Sequence, residues 1–278
     1  MAQCQITLVF YVASLLVLSY ILFYKCLPLQ KEEETEIDEA ILIKYQQQAL
    51  IRRQILNERI DSDGYGILYN VLVPEVFCKN LIRVGTVGDG GKWVCNPTSL
   101  MSFESCTIYS FGMNNDPSFE EDFQNFLNNK CQLRCIDKDD QTPATMDRLK
   151  FVNGAFKKAF IGPRKDDSIN MFQISDIMAE FGDQKIDILK IDIEGAEFDN
   201  IDNILSLPIC QIMIEVHGQT PKDTLNLLRS LSEHEYYLFS YEINGYHHHL
   251  SEYSFFHKSC FSEYNVKTVY GKYLSSDK

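Results

Sequence analysis

The stretch IDILKIDIEGAEF, residues 186–198, decides the fold. Its first half is an apolar run of β-branched and Leu residues, interrupted only by Asp187 and Lys190. Such a run is typical of a strand that is buried on both faces of a parallel sheet. The second half places carboxylates around a glycine, where open α/β sheets bind their ligands. We therefore expect a central strand that ends at a binding site; a strand end that is polar only because it meets water is the alternative.

Strand and helix patterns alternate along most of the chain. A strand at residues 106–111 ends at Gly112, and a second at residues 132–136 ends at Asp137, with a helical pattern between them. Near the carboxyl terminus, Asn-Gly at residues 244–245 separates two aromatic, alternating runs, which is a strong hairpin signal. Because crossovers between parallel strands are right-handed, these units predict a doubly wound, mostly parallel sheet with a C-terminal β-hairpin.

Composition narrows the class of protein. The chain has 278 residues, 45% hydrophobic and 23% charged, which is typical of a globular protein. The net charge of −13 argues against nucleic-acid partners, because these are bound by basic surfaces. Seven of the nine cysteines follow residue 30, which favours an oxidising compartment and leaves at least one thiol unpaired. Cys131 and Cys135 have no second pair at zinc spacing, so a disulfide or buried thiols are expected there.

The amino terminus carries an apolar, uncharged run at residues 6–24, long enough to cross a membrane as a helix. We predict three segments: a signal-anchor or transmembrane segment (1–30), a helical stem (31–61) and a catalytic domain (62–278). No small-residue cleavage site follows the run, which favours an uncleaved anchor. A cleaved signal peptide, and with it a secreted protein, is the alternative. Lys25 and Lys31 weakly favour a cytoplasmic domain, but the cysteines lead us to predict a lumenal (ER/Golgi) or extracellular one.

Three motifs carry a resemblance to a known family. LKIDIEGAE at residues 189–197 resembles the signature of FkbM-type S-adenosylmethionine-dependent methyltransferases. DGGKWVC at residues 89–95 and EYSFF at residues 252–256 resemble an animal group of membrane-anchored or secreted methyltransferase-like proteins. The resemblance covers roughly residues 64–257. It implies a Rossmann-like class I methyltransferase fold, with a mostly parallel seven-stranded sheet whose last two strands form a hairpin, and S-adenosylmethionine as cofactor.

The resemblance also implies cofactor-binding residues. Gly112 would line the cofactor and Asp137 would hydrogen-bond its ribose, which agrees with the interval of one helix and one strand between them. Lys138 and Asp192 complete the predicted cofactor set. The family's Gly-x-Gly pattern is replaced here by GMNND at residues 112–116, in which only the first glycine remains.

The predicted catalytic residues are His217, Asp192 and Glu194. His217 ends a strand and has an ordinary pKa near neutrality, so it is the candidate base for a hydroxyl acceptor. Asp192 and Glu194 could instead hold a divalent cation, but no metal is predicted. The histidines at residues 247–249 are expected to be solvent-exposed beside the turn. The expected acceptor is a small molecule or glycan, and no oligomeric state is predicted.

Other interpretations stay open. Asp192-x-Glu194 could bind a nucleotide-sugar through a metal, as in a lumenal glycosyltransferase. A non-catalytic binding module on a methyltransferase fold is a third interpretation. The glycine-rich segment at residues 83–97 is not a Rossmann phosphate loop, because a strand-like run follows it. It is either a β-turn or a lid over a pocket that includes Trp93.

Overall fold

The computed structural model describes residues 37–276 except 245, 246 and 248, and except the side chains of residues 62 and 63. The predicted membrane segment at residues 6–24 lies outside this part of the chain. Within the described residues, no helix has both the length and the apolar character needed to span a bilayer.

A seven-stranded sheet organises the domain. Its strands are β3 (Thr107–Phe111), β4 (Gln132–Asp137), β5 (Gly154–Lys158), β8 (Ile186–Ile191), β9 (Ile209–His217), β10 (Tyr236–Ile243) and β11 (Leu250–His257). Their order is β10-β11-β9-β8-β3-β4-β5. The strands β5, β4, β3, β8 and β9 pair in parallel, whereas β11 is antiparallel to both neighbours. The predicted parallel sheet with a C-terminal hairpin, a Rossmann-like methyltransferase fold, is confirmed.

The strand predicted to be central, β8, lies between β3 and β9, and all six of its residues are buried. The two charged residues in it both have partners. Asp187 accepts a hydrogen bond from the backbone of Thr107 at 2.9 Å, and Lys190 donates one to the carbonyl of Gly112 at 2.8 Å. Charged residues are tolerated in this buried strand because each meets an opposite dipole.

Helices cover the sheet. They are α1 (Glu39–Val71), α2 (Ser118–Phe126), α3 (Pro143–Phe151), α4 (Ile174–Phe181), α5 (Glu197–Leu205) and α6 (Pro221–Glu233). One apolar core holds residues of α1, α4, α5 and α6, and a second holds residues of α2 and α3. The two cores lie on the two faces of the sheet, as in doubly wound proteins.

The predicted stem differs from the structure. Residues 31–36 are not described, but residues 39–61 lie in α1, which continues past the predicted boundary at residue 61 to Val71. Leu56, Ile60 and Leu68 are buried in the core, so α1 belongs to the same compact unit as the sheet. Gly64 has a non-helical φ of 67° and ψ of −155° and forms a kink within α1, and apolar residues on both sides of this kink, such as Ile60 and Leu68, are buried in the core.

Two short sheets and three disulfides complete the domain. β1 (Leu81–Val84) pairs with β2 (Lys92–Cys95), and β6 (Phe160–Ile161) pairs with β7 (Met171–Phe172). The disulfides join Cys78 to Cys95, Cys106 to Cys131, and Cys210 to Cys260. Cys135 is the free cysteine of the described residues and is buried. The odd thiol predicted from the sequence is therefore Cys135, and Cys131 does not pair with it.

Candidate active site

A cavity of about 310 Å³ opens at the carboxyl edge of the sheet. Four neighbouring strands each contribute one predicted residue to its wall: Asp137 ends β4, Gly112 follows β3, Asp192 follows β8 and His217 ends β9. Lys138 and Glu194 line the same cavity. The structure thus brings all six predicted site residues together, while their roles remain predictions.

Gly112 is required by close packing. Its φ is 77°, and a Cβ atom there would lie 1.6 Å from the carbonyl oxygen of Asp192. Asn114 and Asn115 follow with φ of 47° and 62°, the left-handed region in which asparagine is the best tolerated residue after glycine. The loop therefore does not need the second glycine of the family pattern, because asparagines adopt the positive φ angles in its place.

Asp137 organises this loop. Its side chain is 6% exposed. Its two carboxylate oxygens accept hydrogen bonds from the backbone N–H groups of Asn114 and Asp139, each at 2.9 Å. Each oxygen keeps further acceptor capacity, because a carboxylate offers about four lone-pair sites. Lys138 pairs with Asp139 at the exposed rim.

His217 lies on the opposite wall, among carboxylates. Its Nε2 is 3.4 Å from Glu194 and 4.0 Å from Asp192, and its Nδ1 is 3.1 Å from Glu197. Glu194 is 71% exposed, whereas Glu197 is fully buried. Glu197 was not predicted as a site residue, although it lies in the deciding stretch, because the sequence does not show which carboxylate faces His217.

A buried ion cluster supports this wall. Lys92, 1% exposed, donates to Glu252 and has Glu215 at 4.0 Å. None of these three residues was predicted from the sequence as a site residue. Their signal is a charged residue within an otherwise apolar strand, because buried charges are normally paired.

Two groups in the cavity have pKa values above their ordinary ones. Burial raises the pKa of Glu215 to about 8, and the charges of Glu252 and Asp192 add to this effect. Burial by itself lowers the pKa of His217, but the hydrogen bond and charge of Glu197, with Glu215 and Asp192 nearby, raise it to about 9. Both groups are thus mainly protonated at neutral pH in the ligand-free site.

Some of the same carboxylate and imidazole groups are also candidate ligands for a metal ion. Asp192, Glu215 and His217 each place one ligand atom within 4.8 Å of the others. Asp192 thus groups with Glu215 and His217, whereas the cation site considered from the sequence paired it with Glu194. The Nζ atom of Lys92 lies 4.0 Å from Glu215, so a lysine supplies positive charge beside the same carboxylate.

The glycine-rich segment connects β1 to β2 and reaches the cavity through Asp89. The Arg83 guanidinium donates to the carbonyls of Thr86, Gly88 and Gly91. Glu242 binds both this guanidinium, at 2.8 Å, and the Trp93 indole, at 2.9 Å. The segment is thus a β-connection at the cavity rim, and Trp93 is fixed by the hairpin strand β10.

Comparison with known proteins identifies the family. A family model described as a methyltransferase domain matches residues 39–257. The chain belongs to this methyltransferase family. The predicted methyltransferase resemblance is thereby confirmed, and the predicted cofactor, S-adenosylmethionine, agrees with it. The match begins at the first residue of α1, which agrees with α1 being part of the domain.

Individual relatives are distant. Human "Probable methyltransferase-like protein 24" is 24% identical over 185 residues, which cover 59% of this chain. The chain spans about half the length of this relative, 50%.

Three solved structures resemble the chain more weakly. A precorrin-6y C5,15-methyltransferase from Geobacter metallireducens is 13% identical (TM-score 0.39; 59% of this chain, 86% of the other). A fibrillarin pre-rRNA processing protein from Methanococcus jannaschii is 12% identical (0.36; 64% and 82%). The M. capricolum TrmK complex with S-adenosyl-homocysteine is 13% identical (0.32; 58% and 67%). All three TM-scores lie below 0.5, and the fold is established by the strand order instead.

Proposed function

We propose that this protein is an S-adenosylmethionine-dependent methyltransferase that methylates a hydroxyl group of a small molecule or glycan. The main observation behind this proposal is the cavity at the sheet edge. Four adjacent strand ends contribute Asp137, Gly112, Asp192 and His217 to its wall. Membership of the methyltransferase family supports the same reaction.

The residues present fit the cofactor. Gly112 leaves a cradle that a Cβ atom would fill, and the buried Asp137 carboxylate lines the cavity with acceptor capacity for ribose hydroxyls. Asp192 adds negative charge to the same cavity, which suits a cationic sulfonium, and Glu215 adds more once it loses its proton. When bound, S-adenosylmethionine supplies an electrophilic methyl group on that sulfonium.

The protein's part in the reaction is to orient the acceptor and take its proton. The hydroxyl oxygen forms the new bond to the methyl carbon as the carbon–sulfur bond breaks. The hydroxyl proton passes to Nε2 of a neutral His217, whose ring faces the cavity. Because the charges of the free site keep His217 protonated at neutral pH, the reaction requires that its proton first be released.

We also propose that the domain lies in an oxidising compartment, lumenal or extracellular, tethered by residues 6–24. The three buried disulfides support this location, since such bonds are rare in the cytosol. The test is mass mapping of the protein isolated from membranes under thiol-blocking conditions. We expect the three pairs intact and Cys135 blocked only after denaturation; six free thiols would contradict the proposal.

Calorimetry with S-adenosylmethionine tests the enzymatic proposal on the full chain. We expect micromolar binding, weakened about tenfold to a hundredfold in Asp137→Asn because one charge-assisted acceptor is lost. Asp140→Asn is the matched control, since its exposed carboxylate pairs with Lys158 and is not among the residues that line the cavity. Its affinity should stay within about twofold of wild type, as expected for an exposed ion pair.

The alternatives give different results. Absence of S-adenosylmethionine binding by a folded protein would contradict a methyltransferase. Binding of a nucleotide-sugar only with manganese would then indicate the glycosyltransferase interpretation, and binding of neither would indicate a non-catalytic module.

A further inference from the structure

Glu197 occupies an unusual position for a carboxylate. It is the first residue of α5 and is fully buried behind His217. Its Oε1 accepts a hydrogen bond from the His217 backbone N–H at 2.6 Å and lies 3.1 Å from ring Nδ1. Its Oε2 accepts a hydrogen bond from the Gly195 N–H at 2.8 Å. A buried carboxylate is costly unless it is hydrogen-bonded, and two of these three contacts are to His217 itself.

We propose that Glu197 is a positioning residue, which holds a proton on Nδ1 of His217 and thereby presents Nε2 to the cavity as the basic atom. Its catalytic consequence rests on the proposed methyltransferase function. The hydrogen-bond relationship does not, because it is a property of the free protein.

The chemistry of the two partners fixes the direction of the hydrogen bond. An ionised carboxylate only accepts, so a neutral imidazole facing Glu197 carries its hydrogen on Nδ1. Its lone pair is then on Nε2, the nitrogen nearest Asp192 and Glu194. A proton taken up at Nε2 makes an imidazolium that Glu197 stabilises directly.

The backbone contacts add rigidity. Glu197 ties the end of β9, through the His217 N–H, to the loop that follows β8, through the Gly195 N–H. The same ring also borders a groove of about 540 Å³ on the side of α6. His217 lies between the cavity and this groove, and the carboxylate behind it restrains the orientation of its ring.

Several charged groups surround the ring and must be distinguished from Glu197. Asp192 and Glu194 approach from the loop after β8, Glu215 lies on β9, and Asp223 of α6 lines the groove. Glu197 alone among these five carboxylates contacts Nδ1 within hydrogen-bond distance. A test therefore has to read out the two ring nitrogens separately.

Nitrogen-15 NMR of the full chain with labelled histidine gives that readout. The His217 signal is assigned by its loss in His217→Gln. At about pH 10, where His217 is mostly neutral, we expect the hydrogen on Nδ1 in wild type. A wild-type ring with the hydrogen on Nε2 would overturn the proposal without any variant having to fold.

Glu197→Gln is the matched variant, because it keeps the shape and one acceptor oxygen but removes the charge. We expect the His217 titration midpoint to fall by about one unit or more, as for loss of a close opposite charge. The control is Glu194→Gln, whose exposed carboxylate lies near Nε2 and should change the midpoint less because water screens it. An equal or smaller effect of Glu197→Gln would overturn the proposal and leave Glu197 as a packing residue.

The outcome is independent of the enzymatic question. No cofactor or acceptor is added in the NMR experiment, so a failed S-adenosylmethionine titration would count against the proposed function and not against the Glu197–His217 pair.

Discussion

The Nζ atom of Lys190 donates a hydrogen bond to the carbonyl oxygen of Gly112 at 2.8 Å. Lys190 is 3% exposed and lies one strand away from the glycine whose backbone lines the cavity. A buried cation in the central strand thus holds the turn after β3 in place. Asp192 also contacts the end of β3, because its N–H donates to the Phe111 carbonyl at 3.0 Å.

Lys190→Met should weaken cofactor binding through this contact. The variant keeps the apolar stem but leaves the Gly112 carbonyl without its buried donor, so we expect a loss of about 1–3 kcal/mol in the free energy of unfolding. Urea denaturation measures this loss, and calorimetry measures the affinity for S-adenosylmethionine. Lys150→Met, at an exposed lysine on α3, should change stability by less than about 0.5 kcal/mol. Similar effects of the two variants would contradict the assigned role.

Gly112→Ala should abolish cofactor binding. Its Cβ would meet the Asp192 carbonyl at 1.6 Å, so the turn has to move away from the cavity. Asn114→Gly should bind the cofactor as wild type does, because glycine adopts the same positive φ. Asn114→Val should bind worse, because a β-branched residue is strongly disfavoured there. Calorimetry on the three variants checks this order of cofactor affinities. Tight binding by Gly112→Ala would show that the cofactor does not need the space beside Gly112.

Lys92→Met should strongly destabilise the domain. It leaves the buried Glu252 carboxylate without its cation, and breaking a buried ion pair from one side costs about 3–5 kcal/mol. Lys92→Met combined with Glu252→Gln should recover part of that loss, because one orphaned charge is also removed. Denaturation of wild type, both single variants and the double variant forms a double-mutant cycle. Additive losses would show that the two side chains are not coupled.

Affinity for S-adenosylmethionine should rise as the pH increases from 7 to 9. Burial raises the pKa of Glu215 to about 8, and the carboxylates raise that of His217 to about 9, so both hold protons at neutral pH. Losing either proton makes the cavity more negative, which favours a cationic ligand. Each proton released on binding gives up to about a tenfold gain per pH unit. Calorimetry in two buffers of different ionisation enthalpy counts these protons.

The pH effect has a matched control. His217→Gln removes one titrating group, and Glu215→Gln removes the other. Each variant should show a flatter pH dependence than wild type, and the double variant should be flattest. A wild-type affinity that does not change with pH would show that neither group senses the bound cation.

Much of this protein could be predicted from local patterns. The apolar run in β8, the acidic residue that ends β4 and the Asn-Gly hairpin together predicted the strand directions and the edge that carries the cavity. These features are local or periodic, so each depends on residues close in the chain. The six predicted cavity residues follow from that edge, because the carboxyl ends of parallel strands meet there.

Other features depend on residues far apart in the chain, which only the tertiary structure brings together. Lys92, Glu215 and Glu252 come from three strands, and their pairing depends on how β2 packs near β9 and β11. Likewise, the helical chain resumes after the kink at Gly64, and the core buries residues on either side of it. The sequence by itself determined which strands form the site. Packing decided which charges face each other there, because burial and distance set the pairing and the proton affinity of each group.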